Sequence, residues 1–150
     1  MALTNIMFAS FCMFVCLHRL YFVRKLKYFQ VENTLISLFY RAALESLISF
    51  CICVWGGNLS RREVQKFDRV ARRVSKITNI DQDSFLEIFD KCCLRKLDRI
   101  IKDIDHPFFK DIKFSKRTNR IILQKTNRER YRMSFLPYSV SLYAKNNNDR

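Results

Sequence analysis

An all-α fold follows from three observations. Apolar residues recur at helical rather than alternating spacing through residues 61–77 and 85–104. Ser-x-x-Glu pairs, Ser60 to Glu63 and Ser84 to Glu87, stand where those two stretches begin and read as capping boxes. The only two glycines, Gly56 and Gly57, are adjacent. Glycine reaches φ > 0 without steric penalty, so the pair is expected to close one helix and turn the chain. The expected architecture is a bundle of about four helices, roughly residues 18–29, 32–55, 61–77 and 85–104, inside a helical domain of residues 18–109. An apolar helical extension (residues 1–17) precedes it and a basic irregular tail (residues 110–150) follows.

Ile6 to Leu17 is an unbroken run of apolar and small residues, followed by His18 and Arg19. It lacks the basic start and the small-residue cleavage site of a signal peptide. It is also shorter than the ~20 residues that cross a bilayer, and continuing to Val23 places Arg19 inside the span. Two readings stay open: a helical extension packed on the domain, or a signal-anchor through residues 6–23. The helix over 18–29 is expected to turn Leu20, Phe22, Val23 and Leu26 inward, with Arg24, Lys25 and Lys27 outward. The helix over 32–55 is apolar nearly all round (Leu35, Ile36, Leu38, Phe39, Ala42, Ala43, Leu47, Ile48) and belongs at the centre of the bundle. Trp55, at its end, is expected to be buried.

The helix over 61–77 sets Val64, Phe67, Val70, Ala71, Val74 and Ile77 on one stripe. The next, over 85–104, repeats Phe85, Phe89, Cys92, Leu97, Ile100, Ile101 and Ile104 at helical spacing, and Pro107 lies just past its end. Residues 110–133 lack helical periodicity and read as short strands around Ile121–Leu123 or as a basic arm. Pro137 and Asn146–Asn148 read as a frayed end.

At 150 residues the chain has the size of a single domain with a real core. Lys and Arg number 28 against 14 Asp and Glu, a formal net charge of +14. Such a charge favours nucleic acid or an anionic membrane surface as partner, and no small-molecule substrate is indicated. The charge is uneven. Residues 60–78 hold seven Lys and Arg against Glu63 and Asp68, residues 79–105 are slightly acidic, and Lys110 to Arg132 is strongly basic again. The six cysteines, Cys12, Cys16, Cys51, Cys53, Cys92 and Cys93, lie far from His18 and His106 and do not form the clustered pairs a zinc site uses. They read as free buried thiols of an intracellular, reducing compartment.

A longer series of motifs runs through the chain. It reads Leu20-Tyr21-Phe22-Val23-Arg24-Lys25-Leu26, then Leu38-Phe39-Tyr40, then Val54-Trp55-Gly56-Gly57-Asn58 and the basic helix after Ser60. Cys93-Leu94-Arg95-Lys96, Lys102-Asp103-x-Asp105-His106-Pro107 and Ser134-Phe135-Leu136-Pro137 follow. In this order the motifs resemble the region that follows the catalytic palm in reverse transcriptases of non-LTR (LINE-like) retrotransposons, over roughly residues 18–142. The resemblance implies the thumb and post-thumb part of such a polymerase, a helical body that clamps template–primer duplex. Where the family usually carries a Pro-Ser-Gly-Arg-Arg-Tyr-Arg turn, this chain departs from it with Ile112-Lys113-Phe114-Ser115-Lys116-Arg117.

The candidate binding residues fall in two sets. Arg62, Lys66, Arg69, Arg73 and Lys76 recur at steps of four, three, four and three, which keeps them on one helix face, with Arg61 and Arg72 flanking it. Each cation that neutralises a phosphate releases a condensed counterion, so a row of this kind suits RNA or DNA backbone. A solvated helix face looks similar, but seven cations beside two acids repel one another unless a polyanion meets them. The second set is Lys116, Arg117, Arg120, Lys125, Arg128, Arg130 and Arg132, with Lys113 ahead of it and Phe114 and Tyr131 interleaved, a pattern that suits single-stranded nucleic acid as well as a disordered basic arm.

Catalysis is not expected. Polymerase chemistry needs carboxylates that hold two metal ions about 3.5–4 Å apart. The family supplies them from an aromatic-Ala-Asp-Asp turn in the palm, and this chain has neither an Asp-Asp pair nor a palm. Asp103, Asp105 and His106 read as the polar end of a helix. No cofactor or metal is indicated.

Overall fold

A computed structural model describes residues 2–115, 121–122 and 128–148. The fold is all-α, and among the described residues no strand forms. The chain divides into two compact units, residues 1–89 and 90–150.

The first unit opens with α1 (Ala2–Tyr28), a single helix that joins the expected extension to the expected helix over 18–29. Nothing in the sequence interrupts it: between Ala2 and Tyr28 there is no Gly and no Pro. Ala9, Cys12, Cys16, Leu20 and Val23 are buried along one side. The helix packs against α2 (Asn33–Tyr40) and α5 (Arg61–Thr78). Leu20, Val23, Ile36, Tyr40, Leu44, Val70 and Val74 form the core between them.

The expected helix over 32–55 is the element the structure corrects most. It runs as α2, a π-helical turn (Arg41–Glu45), α3 (Ser46–Ser49) and α4 (Ile52–Trp55). It breaks where Phe50 is extended and Cys51 takes the left-handed conformation at φ 51°. The break frees the Phe50 carbonyl, which accepts a hydrogen bond from the Trp55 indole N–H at 2.9 Å. Carbonyls loosened in the π turn are met by side chains: Arg19 donates to Ala43, and Ser46 to Ala42. The segment is not central on all sides either. Leu35, Leu38, Phe50 and Val54 are all more than half exposed.

Trp55 is 2 % exposed, as its position before the glycines suggested. It packs with Phe8, Phe67 and Phe85, and Phe67 and Phe85 stack at 5.2 Å between centroids. The glycines do stand between two helices, but they do not use positive φ. Gly56 has an ordinary helical φ of −61° and opens a 3-10 turn (Gly56–Asn58). Its lack of a side chain matters for space: a Cβ there would sit 2.8 Å from the Phe89 ring. Left-handed φ falls instead on Gln30, Cys51 and Asn79.

Helix α6 (Phe85–Lys102) runs from the first unit into the second. In the second unit a 3-10 turn (Pro107–Asp111) follows, with His106 Nδ1 accepting from the Phe108 amide at 3.2 Å. Among the described residues Phe114 and Ile121 make an isolated antiparallel bridge where short strands or a basic arm are expected; Leu123 lies outside the described residues. Then come α7 (Glu129–Arg132) and α8 (Phe135–Asn148). The C-terminal part of the expected irregular tail is thus a helix of 14 residues. Pro137 does not fray it, because in the first turn the missing N–H has no intrahelical partner to lose. Leu97, Ile100, Ile112 and Val140 form the core of this unit.

Candidate nucleic-acid interface

The local sequence places α5 firmly. The Ser60 hydroxyl accepts from the Glu63 amide at 3.4 Å while the Glu63 carboxylate accepts from the Ser60 amide at 2.8 Å, closing the capping box. Asn79 ends the helix in the left-handed conformation, which Asn adopts more readily than most residues. Phe67, Val70, Ala71 and Val74 are buried, and Val64 and Ile77 half-buried, so the apolar stripe faces the core.

The opposite face then carries the charge. Arg61, Arg62, Lys66, Arg69, Arg72, Arg73 and Lys76 are all exposed. The two acids that interrupt them are used elsewhere. Glu63 is held by the capping box, and Asp68 accepts from the Phe85 amide at 2.9 Å, fixing the start of α6. Arg72 Nε donates to the Asp68 backbone carbonyl at 3.4 Å, a neutral acceptor. Among the described residues none of the seven cations is ion-paired. The row is therefore held on a rigid helix and left electrostatically unbalanced, which is what a polyanion can compensate.

The second set is not assembled in the same way. Lys116, Arg117, Arg120 and Lys125 lie outside the described residues. Arg128 is exposed just ahead of α7, and Arg130 and Arg132 belong to that short helix, Arg132 exposed. The α5 row belongs to the first unit and this set to the second.

Sequence reasoning did not find an open groove of about 210 Å³ between α1 and α5. Ala9, Ser10, Met13, Phe14 and Leu17 line one wall, Glu63, Lys66 and Phe67 the other. No periodicity links residues 9–17 to 63–67; only the packing of the two helices creates it.

Burial pushes the Cys16 thiol up to about 12 and also raises Cys12, which removes thiolate character at neutral pH. Burial likewise raises the Tyr40 hydroxyl. Among the described residues no group of three or more His, Cys, Asp or Glu side chains is placed to hold a metal ion. Comparison with family models, with curated proteins and with solved structures finds no match for this chain.

Proposed function

We propose that this chain is a non-catalytic helical body that binds RNA or DNA through the sugar–phosphate backbone, without sequence preference. This is the role that its resemblance to the thumb and post-thumb region of a non-LTR retrotransposon reverse transcriptase implies. The single observation that carries the proposal is the row of seven exposed cations on α5, unpaired among the described residues because Glu63 and Asp68 are engaged in holding helix starts. Phosphate contacts position a protein on a strand but read no bases, so affinity for a duplex and for its scrambled version should be equal.

The test is fluorescence anisotropy with a labelled duplex and its scrambled counterpart, for the full chain and for single alanine variants at Arg62, Lys66, Arg69, Arg73 and Lys76. Each variant should weaken both duplexes by the same factor. Variants that leave both affinities unchanged, or that affect one sequence only, would refute backbone binding through this face.

A further inference from the structure

We infer that α1 is a membrane-docking helix that lies in the plane of an anionic bilayer, with its outward apolar stripe in the lipid and the rest of its unit at the surface. Met7, Phe11, Phe14, Leu17 and Tyr21 are exposed at steps of four, three, three and four, which keeps them on one side of the helix. Phe14 is 70 % exposed, Met7 71 %. A row of large apolar side chains in water, here sharing its side of the helix with the exposed Ser10 and His18, is the mark of a surface that something covers.

Charge identifies the cover. The helix contains no acidic residue from Ala2 to Tyr28, and Arg24, Lys25 and Lys27 are exposed at its C-terminal end. Lys25 Nζ lies 5.6 Å and 5.7 Å from the Tyr21 and Tyr28 ring centroids, an aromatic and cationic cluster of the kind that sits at headgroup level. Lys66, across the groove from Phe14 and Leu17, adds a cation beside the stripe, and Glu63 on the same wall is held by Ser60 in the capping box. Anionic headgroups satisfy all of these. A second copy of α1 would present the same cations and no acid.

The segment Met7–Tyr28 is long and apolar enough to cross a membrane, its most apolar 18-residue window having a mean hydropathy of 1.3. Its packing argues for the in-plane arrangement instead. Cys12, Cys16, Leu20 and Val23 are in the core of the unit, and Arg19 is tied to the Ala43 carbonyl. Drawing the helix through a bilayer would strip that core. Lying flat, it sinks only its outer side by about 5–10 Å.

The test is co-sedimentation of the nuclease-treated full chain with phosphatidylcholine vesicles, with and without phosphatidylserine. Binding should require the anionic lipid and should fall roughly tenfold or more in a Phe11→Ser/Phe14→Ser/Leu17→Ser variant whose circular dichroism is unchanged. An α5 variant with alanine at Arg62, Arg69, Arg73 and Lys76, sparing Lys66, should keep most of its vesicle affinity, which separates this inference from nucleic-acid binding. Tryptophan in place of Phe11 and of Phe22, which is 46 % exposed rather than inward as its spacing suggested, should be quenched by brominated lipids at equal, shallow depth. Vesicle binding that survives the triple substitution overturns the proposal, as does a depth gradient from residue 11 to residue 22. A triple variant that instead abolishes a dimer seen by sedimentation velocity, with no vesicle binding by the parent chain, would make the stripe a copy-to-copy interface.

Discussion

Gly56 shows how a residue can be read correctly in place and wrongly in cause. Its position between two helices was legible, but the reason was expected to be backbone freedom, and the structure gives it a right-handed φ. What excludes a side chain is the Phe89 ring beside it. Gly56→Ala should therefore destabilise the protein by about 1–3 kcal/mol in denaturant titration, an overpacking effect, despite the entropy alanine removes from the unfolded chain. A stabilised variant would show that the ring moves away freely. Tyr138 offers a second residue-level test. Its hydroxyl donates to Asp90 Oδ1 at 2.6 Å, and burial, with that bond and the carboxylate charge, raises its pKa. Tyr138→Phe should cost about 1.5–3 kcal/mol near neutral pH. Because the folded pKa lies above the unfolded value of about 10, this stabilisation is full below pH ~10 and is lost as pH rises through the folded pKa. The gap between wild type and variant, followed by denaturation at increasing pH, should narrow only above that point.

At the scale of elements, legibility tracked local signals. Helix α5 was found to within a residue because a capping box, an apolar stripe and a charged face all point to the same span. The start of α6 was equally clear: the Glu87 carboxylate accepts from the Ser84 amide at 2.6 Å as its box requires. The break at Cys51 had no such marker. A left-handed cysteine is set by tertiary demands, here the burial of Ile52, Cys53 and Trp55, which no propensity announces. Helix α8 was missed for the opposite reason: Pro137 reads as part of a frayed end, whereas first-turn proline is permitted. For the α2–α3 segment the structure replaces an all-round apolar helix by one with a wet side. Leu44→Ala, at 0 % exposure, should cost about 2–5 kcal/mol, whereas Leu38→Ala, at 62 %, should stay within about 0.5 kcal/mol in the same urea titration. Equal costs would mean that both sides of the segment are covered.

For the whole molecule, the excess of cations was plain from composition, and the α5 half of the candidate site was plain from spacing. What spacing could not supply was the fate of Glu63 and Asp68, since only the fold commits one to a capping box and the other to the Phe85 amide. Nor could it reveal the outward row of α1, because an unbroken apolar run conceals which of its residues end up inside. A net charge of +14 draws any polyanion weakly, so affinity alone does not identify the α5 face as the point of contact. The salt dependence does. If Arg62, Lys66, Arg69, Arg73 and Lys76 each meet a phosphate, they contribute about −4.5 to the slope of log K against log salt on a duplex. The variant with all five changed to alanine should lose that contribution and stay folded, because the five point away from the apolar stripe. Wild-type affinity and an unchanged slope in the folded variant would contradict the account and leave the row a solvated helix face.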